Sequence, residues 1–190
     1  MYWPQERWRQ AVGVIPRLTV LYGGPHNSGP SFRRATVQPG DLLYPIGVCD
    51  HVLYVFGRMR VHEIIPVGEA GQPSVAAYFS RYAGWRFLAP ACTNEVVVGA
   101  DGTRIQRDRP VPGEILKRLM YHPRRGLRPV KHVSEEGRLV RPDSVQGIYR
   151  LAESSAADFE QVLAGAPGQP IRLFGSRRKV EIPTNMDPLF

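Results

Sequence analysis

The chain has 190 residues, a length that suits one domain and leaves little room for two. Hydrophobic residues make up 43% of the chain and charged residues 22%, which excludes a fibre or a largely disordered protein. The 25 Lys and Arg residues outnumber the 17 Asp and Glu residues and leave a formal charge of +8, a balance typical of proteins that meet polyanions.

The composition also predicts location and cysteine chemistry. No stretch reaches the ~20 consecutive apolar residues of a spanning helix, and the first residues lack signal-peptide order, so we expect a soluble, cytoplasmic protein without a membrane partner. Cys49 and Cys92 are too few and too separated for a disulfide framework, and we interpret both as buried small hydrophobic residues. The 18 prolines and 19 glycines favour short strands over long helices.

The first elements are short strands joined by turns. The segment 16–22 is rich in β-branched and aromatic residues and predicts a strand, which Gly23-Gly24-Pro25 ends. A polar loop over 26–34 follows and is basic at its end. Pro39-Gly40-Asp41 then predicts a turn into a second strand, Leu42-Leu43-Tyr44.

The segment 51–64 separates into two chemically different faces when alternate residues are compared. One face is apolar, is interrupted by Gly57, and consists of Leu53, Val55, Met59 and Val61. The opposite face is aromatic at one end and cationic at the other, and consists of Tyr54, Phe56, Arg58, Arg60 and His62. Bases stack on aromatic rings and phosphates pair with arginines, so this face favours nucleic-acid binding. The alternative is that the rings pack under a helix and the arginines are simply solvated.

Two further elements are predicted before residue 123. Glu95-Val96-Val97-Val98 has the composition of a short strand. Pro112-Gly113-Glu114 opens a helix that we expect to end before Pro123. The apolar face of this helix consists of Ile115, Leu116, Leu119 and Met120.

The densest positive charge lies between residues 117 and 141, where eight Lys or Arg residues accompany two glutamates. Within this region, 130–140 predicts a hairpin around a glycine-containing turn, and 145–151 predicts one more strand. Ser155 is expected to cap a last helix that ends at Gly165.

Signatures of several enzyme classes are absent from the sequence. There is no GxGxxG for a dinucleotide, no GxxxxGK[ST] for a nucleoside triphosphate and no GxSxG elbow. His62-Glu63-Ile64-Ile65-Pro66 begins like the zinc-protease motif HExxH but has proline where the second histidine must lie. We therefore expect no cofactor and no metal site, and we favour a protein that is not an enzyme.

Two alternatives from other functional classes stay open. A metal-independent ribonuclease or toxin-like enzyme needs a general base, an acid and cations near one phosphate. Candidates of these types are His26, Tyr121, His122, Lys131 and His132. The same residue types are equally natural in a binding surface. The other alternative is a protein-interaction scaffold whose charge only confers solubility.

Two short motifs resemble the PUA-like superfamily, which includes the EVE, ASCH and YTH domains. Gly40-Asp41-Leu42-Leu43-Tyr44 is similar to the Gly-Asp-apolar-apolar-aromatic strand of that group. Gly57-Arg58-Met59-Arg60-Val61 is similar to its glycine-to-valine return strand. A tryptophan-containing start and a polar loop ahead of the Gly-Asp turn also fit.

The resemblance implies an α+β fold, a small, twisted, mostly antiparallel β-barrel with a few flanking helices. It places one domain over 1–190, with a core over 1–165 and a basic C-terminal extension over 166–190. It also implies binding of RNA or DNA, in several members with a modified base in an aromatic-lined pocket.

We therefore predict a nucleic-acid-binding module in which arginines contact phosphates and an aromatic or polar pocket takes a modified or flipped base. The resemblance implies that the loop before Gly40 and the adjoining Tyr44 lie near this pocket. The candidate binding residues are His26, Asn27, Ser28, Phe32, Arg33, Arg34, Tyr44, Tyr54, Phe56, Arg58, Arg60, Lys131 and His132.

Overall fold

The computed structural model describes residues 1–14, 17–24, 31–67, 93–123 and 126–168. Several expectations fall outside these described residues. They concern His26, Asn27, Ser28, Cys92 and the C-terminal extension beyond residue 168.

Short strands are the commonest elements, as the proline and glycine content predicts. The strands are β1 Val20–Gly23, β2 Leu42–Leu43, β3 Ile46–Cys49, β4 Val52–Val55, β5 Met59–Pro66, β6 Glu95–Ala100, β7 Met120–His122, β8 Arg128–Pro129 and β9 Arg150–Leu151. The helices are α1 Gln5–Val14, α2 Gly113–Arg118 and α3 Glu153–Ala164, with a 3₁₀-helix at Pro142–Val145. No helix within the described ranges is long and apolar enough to cross a bilayer.

Within the described residues, the strands form three antiparallel sheets. The largest has the order β1-β6-β5-β2, and a bulge between Val61 and Glu63 interrupts its β5–β6 pair. β3 pairs with β4, while β7 lies between β8 and β9. A bulge bends and twists a sheet, and the largest sheet curls into a half-barrel. The expected α+β class, with mostly antiparallel strands, a barrel-like sheet and few helices, is therefore confirmed.

Two hydrophobic clusters stabilise this arrangement. The first joins α1 to the largest sheet, and its Trp3, Trp8 and Phe56 side chains are at most 1% exposed. The ring centroids of Trp3 and Phe56 lie 5.9 Å apart, and those of Trp8 and Phe56 lie 5.8 Å apart. The second cluster joins β4, α2 and α3, with Leu116 and Phe159 completely enclosed. Both tryptophans of the N-terminal segment are therefore core residues.

The segment 51–64 does not form the single two-faced strand that its alternation predicts. β4 ends at Val55 and β5 begins at Met59, and Gly57 lies between them with a φ of 152°. A Cβ atom at Gly57 would lie 2.6 Å from the Thr103 hydroxyl oxygen, so this turn requires glycine. Consecutive residues of β4 are buried on both faces, which removes the expected exposed aromatic face.

The helix expected to reach residue 122 ends at Arg118. Leu119 adopts an extended conformation, and the following residues form β7 instead of a further helical turn. Strand β7 pairs with β8 on one side and with β9 on the other. Backbone pairing with distant segments therefore overrides the apolar helical pattern that includes Met120.

Other local expectations are met only in part. The hairpin over 130–140 is reduced to one bridge between Val133 and Leu139, and the strand over 145–151 shortens to β9. The last helix is present as α3, but Ser155 lies inside it, where its hydroxyl accepts the Met120 N–H at 2.8 Å. Cys49 is half-buried rather than buried.

Candidate functional site

A cavity of about 380 Å³ opens between strand β2, the three-stranded sheet and helix α3. Every residue from Gly40 to Tyr44 lines one side of it. Tyr121 and Leu151 of the three-stranded sheet and Phe159 of α3 line other parts of the wall. Small-molecule pockets usually measure ~300–1,000 Å³, so this volume suits a compact ring compound.

A single helical turn over residues 31–37 contributes another part of the wall. Its start is capped, because the Ser31 hydroxyl accepts the Arg34 N–H at 3.1 Å. The buried carboxylate of Glu95 accepts the Phe32 N–H at 2.7 Å and the Ser31 hydroxyl at 2.5 Å. A carboxylate at this position satisfies N–H groups that have no partner inside the turn.

The 31–37 turn ends in a Schellman motif. The Thr36 N–H donates to the Arg33 carbonyl, and the Val37 N–H donates to the Phe32 carbonyl, both at 3.0 Å. Thr36 lies in the left-handed region with a φ of 56°. This geometry brings Ala35, Thr36 and Val37 to the cavity.

Two tyrosines form an aromatic part of the cavity wall. The ring centroids of Tyr121 and Tyr149 lie 4.9 Å apart with an interplanar angle of 55°. Tyr149 is 42% exposed, and burial together with the neighbouring Tyr121 raises the pKa of its hydroxyl, which therefore stays neutral near pH 7. A partly exposed ring at a cavity can stack on a planar ligand. Tyr149 is not among the binding residues predicted from the sequence, where its only local signal is an aromatic residue beside Arg150.

Tyr44, beside β2 in the cavity wall, is held by two contacts with helix α3. Its hydroxyl donates to Glu160 Oε1 at 2.7 Å, and its ring meets Phe159 edge to face at 5.7 Å. Burial and the Glu160 carboxylate raise the pKa of Tyr44 far above its ordinary value. Glu160 Oε2 also lies 3.3 Å from Arg58 Nε, so the positive charge of Arg58 is paired.

Arg60 adds a positive charge to the cavity. Its position opposite Leu42 in the β2–β5 pair brings it to the wall formed by β2. The Arg60 guanidinium donates to the Gly40 carbonyl at 2.9 Å, and the side chain is exposed. It forms no ion pair within the part of the chain that the structure describes. Its charge is therefore available to an anion.

The structure brings some of the expected binding residues together. Tyr44 and Arg60 both line the cavity. Arg33 and Arg34 are exposed on the 31–37 turn. Lys131 and His132 are exposed directly after a lining residue, Val130.

Three expected aromatic contacts need correction. Phe32 and Phe56 are 0% exposed, so their ring faces pack in the protein core and are closed to a base. Tyr54 is also buried, and it packs within the first hydrophobic cluster. Trp3 and Trp8 pack against the Phe56 ring, where a base would need to stack.

The structure separates two of the residues proposed for ribonuclease chemistry. Tyr121 and His122 are consecutive in β7, so their side chains project from opposite faces of the sheet. Tyr121 lines the cavity, whereas His122 is exposed. Within the described ranges, no group of three or more His, Cys, Asp and Glu side chains has the geometry to hold a metal ion.

Comparison with known proteins finds no match to this chain among protein-family models, curated proteins or solved structures. The chemistry of the cavity is therefore what indicates a function. Its wall combines an exposed aromatic ring with a guanidinium that forms no ion pair with any residue the structure describes.

Proposed function

We propose that the chain is a non-enzymatic nucleic-acid-binding module that takes one unpaired or flipped base into the 380 Å³ cavity. The observation that carries this proposal is that Tyr149 and Arg60 line the same cavity. The Tyr149 ring offers a stacking surface, and the Arg60 guanidinium offers a partner for a phosphate. The volume lies within the range of small-molecule sites and is sufficient for one base.

The distribution of positive charge supports a polyanionic ligand. The chain carries a formal charge of +8. Arg150 lines the cavity and is exposed, and exposed basic side chains close in sequence to lining residues are Arg33, Arg34 and Lys131. Each phosphate that such residues neutralise releases counterions, so affinity should fall as salt rises.

The PUA-like resemblance supports the same site. All five residues of Gly40-Asp41-Leu42-Leu43-Tyr44 line the cavity. Strand β2, which this motif contains, pairs with the first residues of β5 from the second motif, Gly57-Arg58-Met59-Arg60-Val61. Several members of the superfamily hold a modified base in an aromatic-lined pocket. The cavity of this chain is therefore proposed as a base pocket of the same kind.

The test is a titration of the purified protein with labelled single- and double-stranded DNA and RNA at two salt concentrations, with modified-base versions included. We expect binding that weakens as salt rises, a preference for strands with unpaired bases, and intact oligonucleotides. Absence of binding at low salt would overturn the proposal. Cleavage without a divalent metal would instead support the ribonuclease alternative.

A further inference from the structure

Thr36 has an unfavourable backbone conformation for its residue type. Within the described residues, it is the one β-branched residue with a positive φ. The other described non-glycine residues with a positive φ are Asp50, His51, Asp101 and His132. Aspartate and histidine occur there several-fold more often than the average residue, whereas a β-branched side chain is strained.

The fold itself does not require a side chain at this position. Residue 36 occupies the left-handed position of the Schellman motif, where glycine is the usual residue because it has no Cβ atom. The two hydrogen bonds of the motif use only backbone atoms. Glycine would therefore form the same turn with less strain, which indicates that the Thr36 side chain has a role outside folding.

The surroundings of the side chain indicate that role. Thr36 is exposed and lines the cavity. Its hydroxyl donates its single hydrogen to the Ala35 carbonyl at 2.7 Å. A hydroxyl has one hydrogen and two acceptor lone pairs, so the remaining capacity of this group is to accept.

We propose that Thr36 contacts the ligand in the cavity and that its hydroxyl accepts a hydrogen bond from an N–H group on the edge of the bound base. This inference rests on the proposed function, and it narrows the ligand to a base whose enclosed edge carries an amino or ring N–H. An edge with acceptors alone could bond this hydroxyl only if the hydroxyl gave up its bond to the Ala35 carbonyl, which disfavours such an edge.

Three substitutions of Thr36 separate the effect of backbone strain on stability from the effect of the side chain on ligand binding. Thr36→Gly removes both the strain and the hydroxyl, Thr36→Val keeps the branched shape without the hydroxyl, and Thr36→Ser keeps the hydroxyl without the methyl group. We expect Thr36→Gly to raise Tm by about 2–4 °C. We expect Thr36→Gly and Thr36→Val each to weaken binding of a labelled single-stranded oligonucleotide of mixed sequence roughly tenfold. Thr36→Ser should bind within about twofold of the wild type.

The outcomes distinguish this inference from the proposed function. If the wild type binds the oligonucleotide and Thr36→Val binds equally well, the proposed hydroxyl contact is wrong. The proposal that the cavity takes a base is then retained. A lower Tm in Thr36→Gly would overturn the premise that the side chain is retained against strain. If the wild type itself fails to bind single-stranded DNA and RNA at low salt, the proposed function fails first.

Discussion

Glu160 on helix α3 accepts a 2.7 Å hydrogen bond from the hydroxyl of Tyr44, the residue that follows strand β2. The same carboxylate lies 3.3 Å from the guanidinium of Arg58. Since Tyr44 lines the cavity, this contact joins the cavity wall to a helix that is distant in sequence. Tyr44 therefore keeps the cavity in shape, whereas Tyr149 and Arg60 remain available to a ligand.

Removing the Tyr44 hydroxyl tests this division of roles. Tyr44→Phe loses one hydrogen bond to a carboxylate, and we expect the free energy of unfolding to fall by about 1 kcal/mol. The ring and its edge-to-face contact with Phe159 remain, so oligonucleotide affinity should change little. Urea unfolding and a binding titration of the same preparation measure both effects. A large loss of affinity with unchanged stability would show that the hydroxyl contacts the ligand.

Arg58 and Arg60 form a matched pair for testing the phosphate contact. Arg60→Ala should weaken oligonucleotide binding and lower the slope of log affinity against log salt by about one. Arg58→Ala should leave that slope nearly unchanged, because Glu160 already pairs with the Arg58 charge. Binding curves at several salt concentrations give both slopes. Equal effects of the two substitutions would show that the ion pair opens when the nucleic acid binds.

Glu95 is expected to order the 31–37 turn. Glu95→Gln can keep its one acceptor oxygen on the Phe32 N–H, but its amide NH₂ then replaces the oxygen to which the Ser31 hydroxyl donates. Because Glu95 is buried, the mismatch should lower the free energy of unfolding by about 1–3 kcal/mol. Urea unfolding of the variant beside the wild type measures this loss. Unchanged stability would mean that the turn does not depend on the carboxylate.

The pH dependence of stability should include a contribution from Asp158. Its two oxygens accept hydrogen bonds from Arg118 at 2.5 and 3.1 Å, and these bonds hold the pKa of Asp158 below its ordinary value of 3.8. A carboxyl group with a lowered native pKa stabilises the fold above its unfolded pKa, and that stabilisation is lost as pH falls through the native pKa. Asp158→Asn should therefore be less stable than the wild type near pH 7.

The difference in the free energy of unfolding between wild type and Asp158→Asn should shrink as the pH is lowered below about 4. Urea unfolding at a series of pH values measures it. A difference that stays constant between neutral and acidic pH would contradict the assignment of this contribution to the Arg118–Asp158 pair.

The parts of the fold that local chemistry determines could be predicted from the sequence. Pro39-Gly40-Asp41 is a turn sequence, and strand β2 begins directly after it. The apolar spacing of α3 and the glycine that follows it, Gly165, likewise predict that helix. Both elements depend on residues that are neighbours in the chain.

The aromatic parts of the cavity could not be predicted in this way. The alternating strand pattern predicts an exposed Phe56 ring. In the structure, Trp3 and Trp8 from a distant segment pack against that ring. Tyr149 reaches the cavity beside Tyr121, near the pairing of β7 with β9. No spacing rule within either segment signals these contacts, because they arise only when the sheets and helices assemble.

The central claim, that the cavity encloses a base, is tested most directly by comparing two single-stranded DNAs of equal length and charge, one normal and one with abasic sites throughout. We expect the abasic strand to bind about tenfold more weakly or worse, because base stacking contributes ~1–3 kcal/mol per base. This difference should largely disappear in Tyr149→Ala, which lacks the stacking ring. Equal affinity of the wild type for the two strands would contradict a base in the cavity and leave only phosphate contacts.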